Sequence, residues 1–154
     1  MTRPDWFHLI PPGAPVEASA EVLIEAPIDL VWRVLSDLGN WPAWNPAVSQ
    51  MRVEGPIASG TQFRWKAGGA GIVSKLALIA PPDAIAWTGR TLGIQAVHVW
   101  AFEAVPEGTR AETRECFVGF LPRQFPGLLR RTLARALGQS VEVLKVEAER
   151  CARA

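Results

Sequence analysis

Apolar and polar residues alternate along most of the chain with the period of two that is typical of strands. Phe63 and Trp65, for example, share one face of a strand whose other face carries Gln62, Arg64 and Lys66. Gly- and Pro-rich turns separate the successive stretches. The pattern predicts strands at residues 16–25, 61–66, 72–80, 84–90, 94–105 and 109–120. Because no helix intervenes between the last five, these strands are expected to form an antiparallel meander.

A helical period of three to four residues appears between the first two of these strands and again at the C-terminus. Pro27 is placed to begin a short helix that Gly39 ends, and a second short turn runs through Trp41 and Trp44. After Pro122, a helix of about 25 residues is predicted, long enough to cross a small domain. Its inward stripe is predicted to hold Leu129, Leu133, Ala136, Leu137, Ser140, Val141, Leu144 and Ala148.

The last two strands form a hairpin whose register follows from its charges. If the turn closes at Pro106-Glu107, Glu103 opposes Arg110 on one face, which is expected to be solvated and ion-paired. The other face, expected to be buried, then brings His98 opposite Glu115 inside an otherwise aromatic wall. Such a pair could hold two strands together, orient a ligand carbonyl, or move a proton. The sequence leaves these three roles open, and His98 and Glu115 are the candidate catalytic residues.

Composition and charge exclude several classes of function. Sixteen basic and fifteen acidic residues leave a net charge of +1, so no basic face for nucleic acid is expected. No apolar run reaches the roughly 18 residues that span a bilayer, and the N-terminus does not read as a secretion signal. A cytoplasmic protein is therefore expected. Neither the two Cys nor the two His have ligand-like spacing, so neither a metal nor another cofactor is expected. With no Tyr in the chain, phenolic acid–base chemistry is excluded.

Two sequence strings resemble the polyketide cyclase/dehydrase-like branch of the START/Bet v 1-like (SRPBCC) superfamily. They are IEAPIDLVWRVLSDLGNWPAWNP at residues 24–46 and AWTGRTLGIQAVHVWAFEAVPEGTRAETRE near residues 86–115, and the resemblance extends over residues 16–152. It implies an α+β helix-grip fold, in which a curved seven-stranded antiparallel sheet surrounds a long C-terminal helix, with two short helices after the first strand. It also implies a deep cavity between sheet and helix. Because members of this superfamily range from lipid carriers to cyclases, the resemblance does not select a reaction.

The residues expected to line that cavity come from the sheet, the loop at its end and the terminal helix. They are Trp44, Phe63, Trp65, Trp87, His98, Trp100, Phe102, Glu115, Leu133, Ala136, Leu137 and Ser140. Gly138 is unfavourable within a helix, which suggests a steric reason for a small residue there. Apolar walls with a few polar groups are typical of small-molecule sites.

The predicted organisation is an N-terminal arm at residues 1–15 and one ligand-binding domain at residues 16–154. The arm, rich in Pro, is expected to be extended, either packed on the surface or lying across the cavity mouth. The leading functional hypothesis is a carrier or sensor that binds a small hydrophobic or aromatic molecule, lipid- or polyketide-like. The alternative is a cyclase or dehydratase-type enzyme, and the third hypothesis is an interaction module that binds a protein or lipid surface. The sequence leaves the ligand and the oligomeric state undetermined.

Overall fold

The computed structural model describes residues 2–154 as one sheet with four α-helices. The strands are β1 (Val16–Ile24), β2 (Val48–Val53), β3 (Gln62–Ala67), β4 (Ala70–Ala80), β5 (Ala84–Thr91), β6 (Ile94–Val105) and β7 (Gly108–Val118). The helices are α1 (Ile28–Ser36), α2 (Trp41–Trp44), α3 (Phe120–Gln124) and α4 (Pro126–Arg153). Short 3₁₀ turns occupy Trp6–Leu9 and Leu38–Asn40.

All seven strands pair antiparallel in the order β1-β7-β6-β5-β4-β3-β2. Strands β2 to β7 form a meander, and β1 joins the far edge beside β7. Helices α1, α2 and α4 cover the concave face, where a large apolar cluster joins α1, α2, α4 and the sheet. This arrangement confirms the predicted α+β helix-grip fold.

Two elements were absent from the sequence-based assignment. Strand β2 is short, and its register with β3 shifts between Ser49 and Arg52. Gln50 has a φ of 54° in this irregular stretch, so the alternation that identifies a strand is broken. Helix α3 spans only five residues, too few for a helical period to appear.

The buried stripe of α4 consists of Leu133, Leu137, Val141, Leu144 and Ala148. Ala136, predicted to face inward, is instead exposed. At 3.6 residues per turn it lies about 100° from the centre of the stripe, which places it on the outer side. Neither α4 nor any other helix described between residues 2 and 154 combines the length and apolar character needed to cross a membrane.

The N-terminal arm packs against the convex face of the sheet. Ile10 forms a buried cluster with Ala86, Val99 and Cys116, against which Trp6 and Phe7 also pack. The guanidinium of Arg114 lies 4.1 Å from the centre of the Phe7 ring. The arm therefore covers the side opposite the concave face, and it contains a 3₁₀ turn where an extended segment was predicted.

This packing corrects the expectation that the outer face of β6 and β7 is solvated. Its rim does carry the predicted charges, because Arg110 lies 3.4 Å from Glu103 and 3.7 Å from Glu21. Its centre is buried, since the arm covers Val99 and Cys116. The ion-paired rim and the apolar centre lie on the same strand face. Alternation assigns residues to that face, but it does not show which part of the face is covered.

Candidate functional site

The β6–β7 hairpin has the register that its charges predict. Val105 pairs with Gly108, Glu103 with Arg110, and His98 with Glu115. His98 and Glu115 thus lie side by side on the concave face, with Trp87 of β5 on the other side of His98. The carboxylate Oε1 of Glu115 is 3.4 Å from Nδ1 of His98.

Aromatic rings form a continuous wall on the concave face around this pair. Trp87 lies 4.7 Å from the His98 ring, measured between ring centroids, and Trp100 lies 5.9 Å from it on the other side. Phe102 continues the wall beyond Trp100 at 6.3 Å. Phe63 and Trp65 extend it onto β3, where Phe63 lies 6.1 Å from Trp87. These five residues were predicted to face inward together.

Trp41 of α2 fills the space in front of one half of this wall. Its ring centroid lies 5.3 Å from Trp87, 5.4 Å from Trp65 and 6.2 Å from Phe63. Its indole Nε1 donates to the carbonyl of Leu35 at 2.8 Å, which fixes the ring in place. Packing of this kind makes Trp41 part of the core in front of Phe63 and Trp65.

The hydrogen bonds of His98 determine its neutral tautomer. Thr113 Oγ1 donates its only proton to the carbonyl of Val99 at 3.0 Å. The same oxygen lies 2.7 Å from Nε2 of His98, so it accepts a hydrogen bond from that nitrogen. In the neutral ring, Nδ1 therefore carries the lone pair, and it faces Glu115.

Burial shifts both members of the pair towards their neutral forms. The side chains of His98 and Glu115 are only 10% and 16% exposed. Desolvation lowers the pKa of His98 to about 3 and raises the pKa of Glu115 to about 8. At neutral pH the carboxyl of Glu115 thus keeps its proton, and Nδ1 of His98 is a free acceptor. The pair holds one mobile proton between two groups, which suits orientation of a carbonyl or transfer of a proton.

Two of the indole donors predicted to line the site are buried without partners. The Nε1 atoms of Trp100 and Trp44 are buried and have no acceptor among residues 2–154. A buried N–H without an acceptor is unfavourable by about 1–3 kcal/mol. Trp100, stacked on His98, is therefore able to donate to a molecule bound on the concave face.

The helical side of the predicted site divides into packed and open positions. Leu133 and Leu137 form a buried cluster with Val16 of β1, so they act as core residues. Ser140 is half-buried, and its hydroxyl donates to the Ala136 carbonyl of its own helix. A Cβ added to Gly138 would meet no atom within 4 Å, which means that open space, not crowding, surrounds this glycine.

The sheet beside the polar pair is only partly buried. Ala18, which pairs with Glu115, and Ala96 and Phe117 in the adjoining row all keep partial exposure although they lie on the concave face. Ala18 and Phe117 pack against Leu133 and Leu137, so α4 covers this end of the sheet.

A groove of about 430 Å³ opens on the convex face, next to Pro11 of the arm. Its lining includes Lys75, Thr88, Arg90 and Cys116, and neither His98 nor Glu115 contributes to it. Cys116 is buried, and its burial raises the pKa of the thiol, so it is a poor nucleophile. The buried polar pair, which the groove lacks, assigns the candidate site to the concave face.

Sequence reasoning missed two contributors to the site. Thr113 fixes the tautomer of His98, although the predicted register places it opposite Trp100 and diagonal to His98. That diagonal position was the signal that could have identified it. Trp41 was not among the predicted site residues, and nothing in its local sequence shows that it lies at the centre of the aromatic cluster.

A family model and several solved structures match this chain. A family model described as "Polyketide cyclase / dehydrase and lipid transport" matches residues 15–149. A hypothetical protein from Helicobacter pylori superposes with a TM-score of 0.82 at 15% identity, with 96% of this chain and 97% of that chain covered. A START superfamily protein from Mycobacterium smegmatis superposes with a TM-score of 0.73 at 17% identity, with 88% of this chain and 98% of that chain covered.

The di-domain ARO/CYC protein StfQ from the steffimycin biosynthetic pathway gives a TM-score of 0.74 at 20% identity. The match covers 90% of this chain and 52% of StfQ, so this chain spans about half of that protein. No curated protein sequence matches this chain. At these identities the structural matches establish the fold.

Proposed function

The chain belongs to the polyketide cyclase/dehydrase and lipid transport family, and from this premise we propose that it binds a small hydrophobic or aromatic molecule. The molecule lies between the concave face of the sheet and α4, and the protein serves as its carrier or sensor. The observation that carries this proposal is the buried polar pair His98–Glu115 within a wall of Trp and Phe rings. Apolar contact supplies affinity, and a few polar groups fix orientation.

The polar groups define which part of a ligand is recognised. The protonated carboxyl of Glu115 and the indole N–H of Trp100 are donors, and both suit a carbonyl or hydroxyl oxygen. Flat rings of the ligand would stack on Trp100 or Trp87, beside His98. A hydrophobic molecule with one oxygen function at its end therefore fits best, which includes lipid-like and polyketide-like compounds.

A first experiment is to purify the protein, extract it with organic solvent and identify any retained molecule by mass spectrometry. Affinity is then measured with N-phenyl-1-naphthylamine, a neutral aromatic fluorophore, and with the extracted compound as competitor. We expect Trp100→Phe and His98→Leu to weaken binding of the competitor. His8→Leu is the matched control, because His8 is exposed in the N-terminal arm. Unchanged affinity in both site variants would leave only a structural role for the polar pair.

Catalysis of the cyclase or dehydratase type is the second candidate, favoured by the single mobile proton of the pair. Glu115 as acid and Nδ1 of His98 as base are 3.4 Å apart, so a proton can pass between a substrate and either group. Incubation of the extracted compound with wild-type protein and with His98→Leu separates the two functions. A change in the mass or absorption spectrum of the compound that His98→Leu abolishes indicates an enzyme, and an unchanged compound indicates a carrier or sensor.

A further inference from the structure

Four large apolar side chains are exposed at one end of the molecule, and we call them the tip patch. They are Leu92, Phe120, Phe125 and Leu128. Leu92 is 90% exposed and the other three are more than half exposed. Isolated exposed apolar residues are common, but a contiguous set marks an interaction site.

The members of the tip patch come from three elements that are held together by the backbone. Leu92 lies in the tight turn between β5 and β6, where turn chemistry favours small polar residues and nothing requires a leucine. The adjacent Gly93 accepts a hydrogen bond from Leu121 N at 3.1 Å, which places this turn against α3. A Cβ on Gly93 would approach the Leu121 side chain to 2.8 Å, so this contact is close. Phe120 therefore lies beside the turn that carries Leu92.

The same region is positively charged. No Asp or Glu occurs between Glu115 and Glu142, whereas four arginines do. These are Arg123, Arg130, Arg131 and Arg135. None of the four forms an ion pair with an acidic group within residues 2–154. The first turn of α4 also carries no acidic residue, so the positive end of a 28-residue helix dipole adds to this charge.

We propose that the tip patch and its arginines dock the protein on an anionic lipid surface. Projecting Leu and Phe side chains enter the boundary between headgroups and acyl chains, while arginines around them contact lipid phosphates. Leu92 is 90% exposed in the turn between β5 and β6, so it can enter a lipid interface without any change in the sheet. The proposal does not depend on the concave site, because neither His98 nor Glu115 belongs to the patch.

Sedimentation with vesicles tests the proposal on the full chain. One set of vesicles contains phosphatidylcholine alone, and the other contains phosphatidylcholine and phosphatidylserine in equal amounts. We expect wild-type protein to sediment with the phosphatidylserine vesicles, less with phosphatidylcholine, and less as salt is added. Leu92→Ser combined with Phe120→Ser should weaken binding about tenfold or more, because each side chain loses its apolar burial. Arg123→Gln combined with Arg131→Gln should weaken binding to phosphatidylserine vesicles about tenfold.

Val146→Ser is the matched control, since Val146 is an exposed apolar residue of α4 outside the patch. It should bind vesicles like the wild type. The proposal is overturned if wild-type protein remains in the supernatant with phosphatidylserine vesicles at low salt, or if the Leu92/Phe120 variant sediments like the wild type. A dimer in size-exclusion chromatography that this variant dissociates would assign the patch to a second copy of the chain, and would also overturn it.

Discussion

Replacing Glu115 by Gln keeps the size of the side chain but removes a proton-binding group beside His98. The amide of Gln is neutral, like the protonated carboxyl, and its N–H can likewise face Nδ1 of His98. The variant should therefore fold normally and differ from the wild type mainly in how its stability depends on pH. This dependence follows from the number of protons that folded and unfolded chains bind.

In the folded chain, the pKa of His98 is about 3 and the pKa of Glu115 is about 8. Between these two pH values the pair therefore holds one proton. In the unfolded chain their ordinary pKa values are 6.5 and 4.5, so the two groups together also hold one proton between these values. Stability is thus flat from pH 4.5 to 6.5. Above 6.5 the unfolded chain holds fewer protons, so stability falls as pH rises towards 8. One pKa unit corresponds to about 1.4 kcal/mol, so this loss is about 2 kcal/mol.

Glu115→Gln leaves only His98, whose folded pKa lies below its unfolded value. Its contribution is complete above pH 6.5 and is lost as pH falls from 6.5 towards 3. The free energy of unfolding of the variant should therefore not change between pH 6.5 and 8, where that of the wild type falls by about 2 kcal/mol. As the pH falls from 6.5 to 4.5, the free energy of unfolding of the variant should decrease by about 3 kcal/mol, whereas that of the wild type should stay constant.

Urea unfolding followed by circular dichroism at half-unit steps of pH measures both profiles. Glu107→Gln, in the exposed turn before β7, is the control that makes the same substitution without touching the pair. Its stability should depend on pH in the same way as that of the wild type. Parallel profiles for wild type and Glu115→Gln would refute the reasoning, because they would show that Glu115 does not retain its proton in the folded chain.

Three further outcomes are expected. Thr113→Val leaves the Nε2–H of His98 without an acceptor and should lower the free energy of unfolding by about 1–3 kcal/mol, measured in urea. Gly138→Ala should raise it by about 0.5–1 kcal/mol, because the added methyl meets open space and Ala favours the helix. A chain that begins at residue 16 lacks the arm, so Cys116 should react with a thiol reagent at a rate near that of the half-buried Cys151.

Each of these has a contradicting result. Unchanged stability of Thr113→Val would show that the hydroxyl does not bridge His98 and the backbone. A less stable Gly138→Ala would indicate a steric contact on α4, and loss of probe affinity in that variant would place ligand against the glycine. Slow reaction of Cys116 in the shortened chain would mean that the arm does not shield the convex face.

The strand pairing was predictable because charge and alternation agree. One register of the β6–β7 hairpin pairs Glu103 with Arg110 and also gathers the aromatic residues on one face, so the position of His98 beside Glu115 followed. No comparable signal marks the arm, because Trp6 and Phe7 indicate burial but not against which surface. The exposure of Ala136 was missed because alanine fits either side of a helix.

The aromatic wall also determines how the protein interacts with light. The chain has seven Trp and no Tyr, so its intrinsic ultraviolet emission comes from indole rings alone. Trp41 lies 5.4 Å from Trp65 and 5.3 Å from Trp87, a spacing at which excitation passes from ring to ring. A molecule that quenches one member therefore dims its neighbours as well. The residues that close the core thus form a built-in optical reporter, which offers a test of the proposed ligand binding without any attached dye.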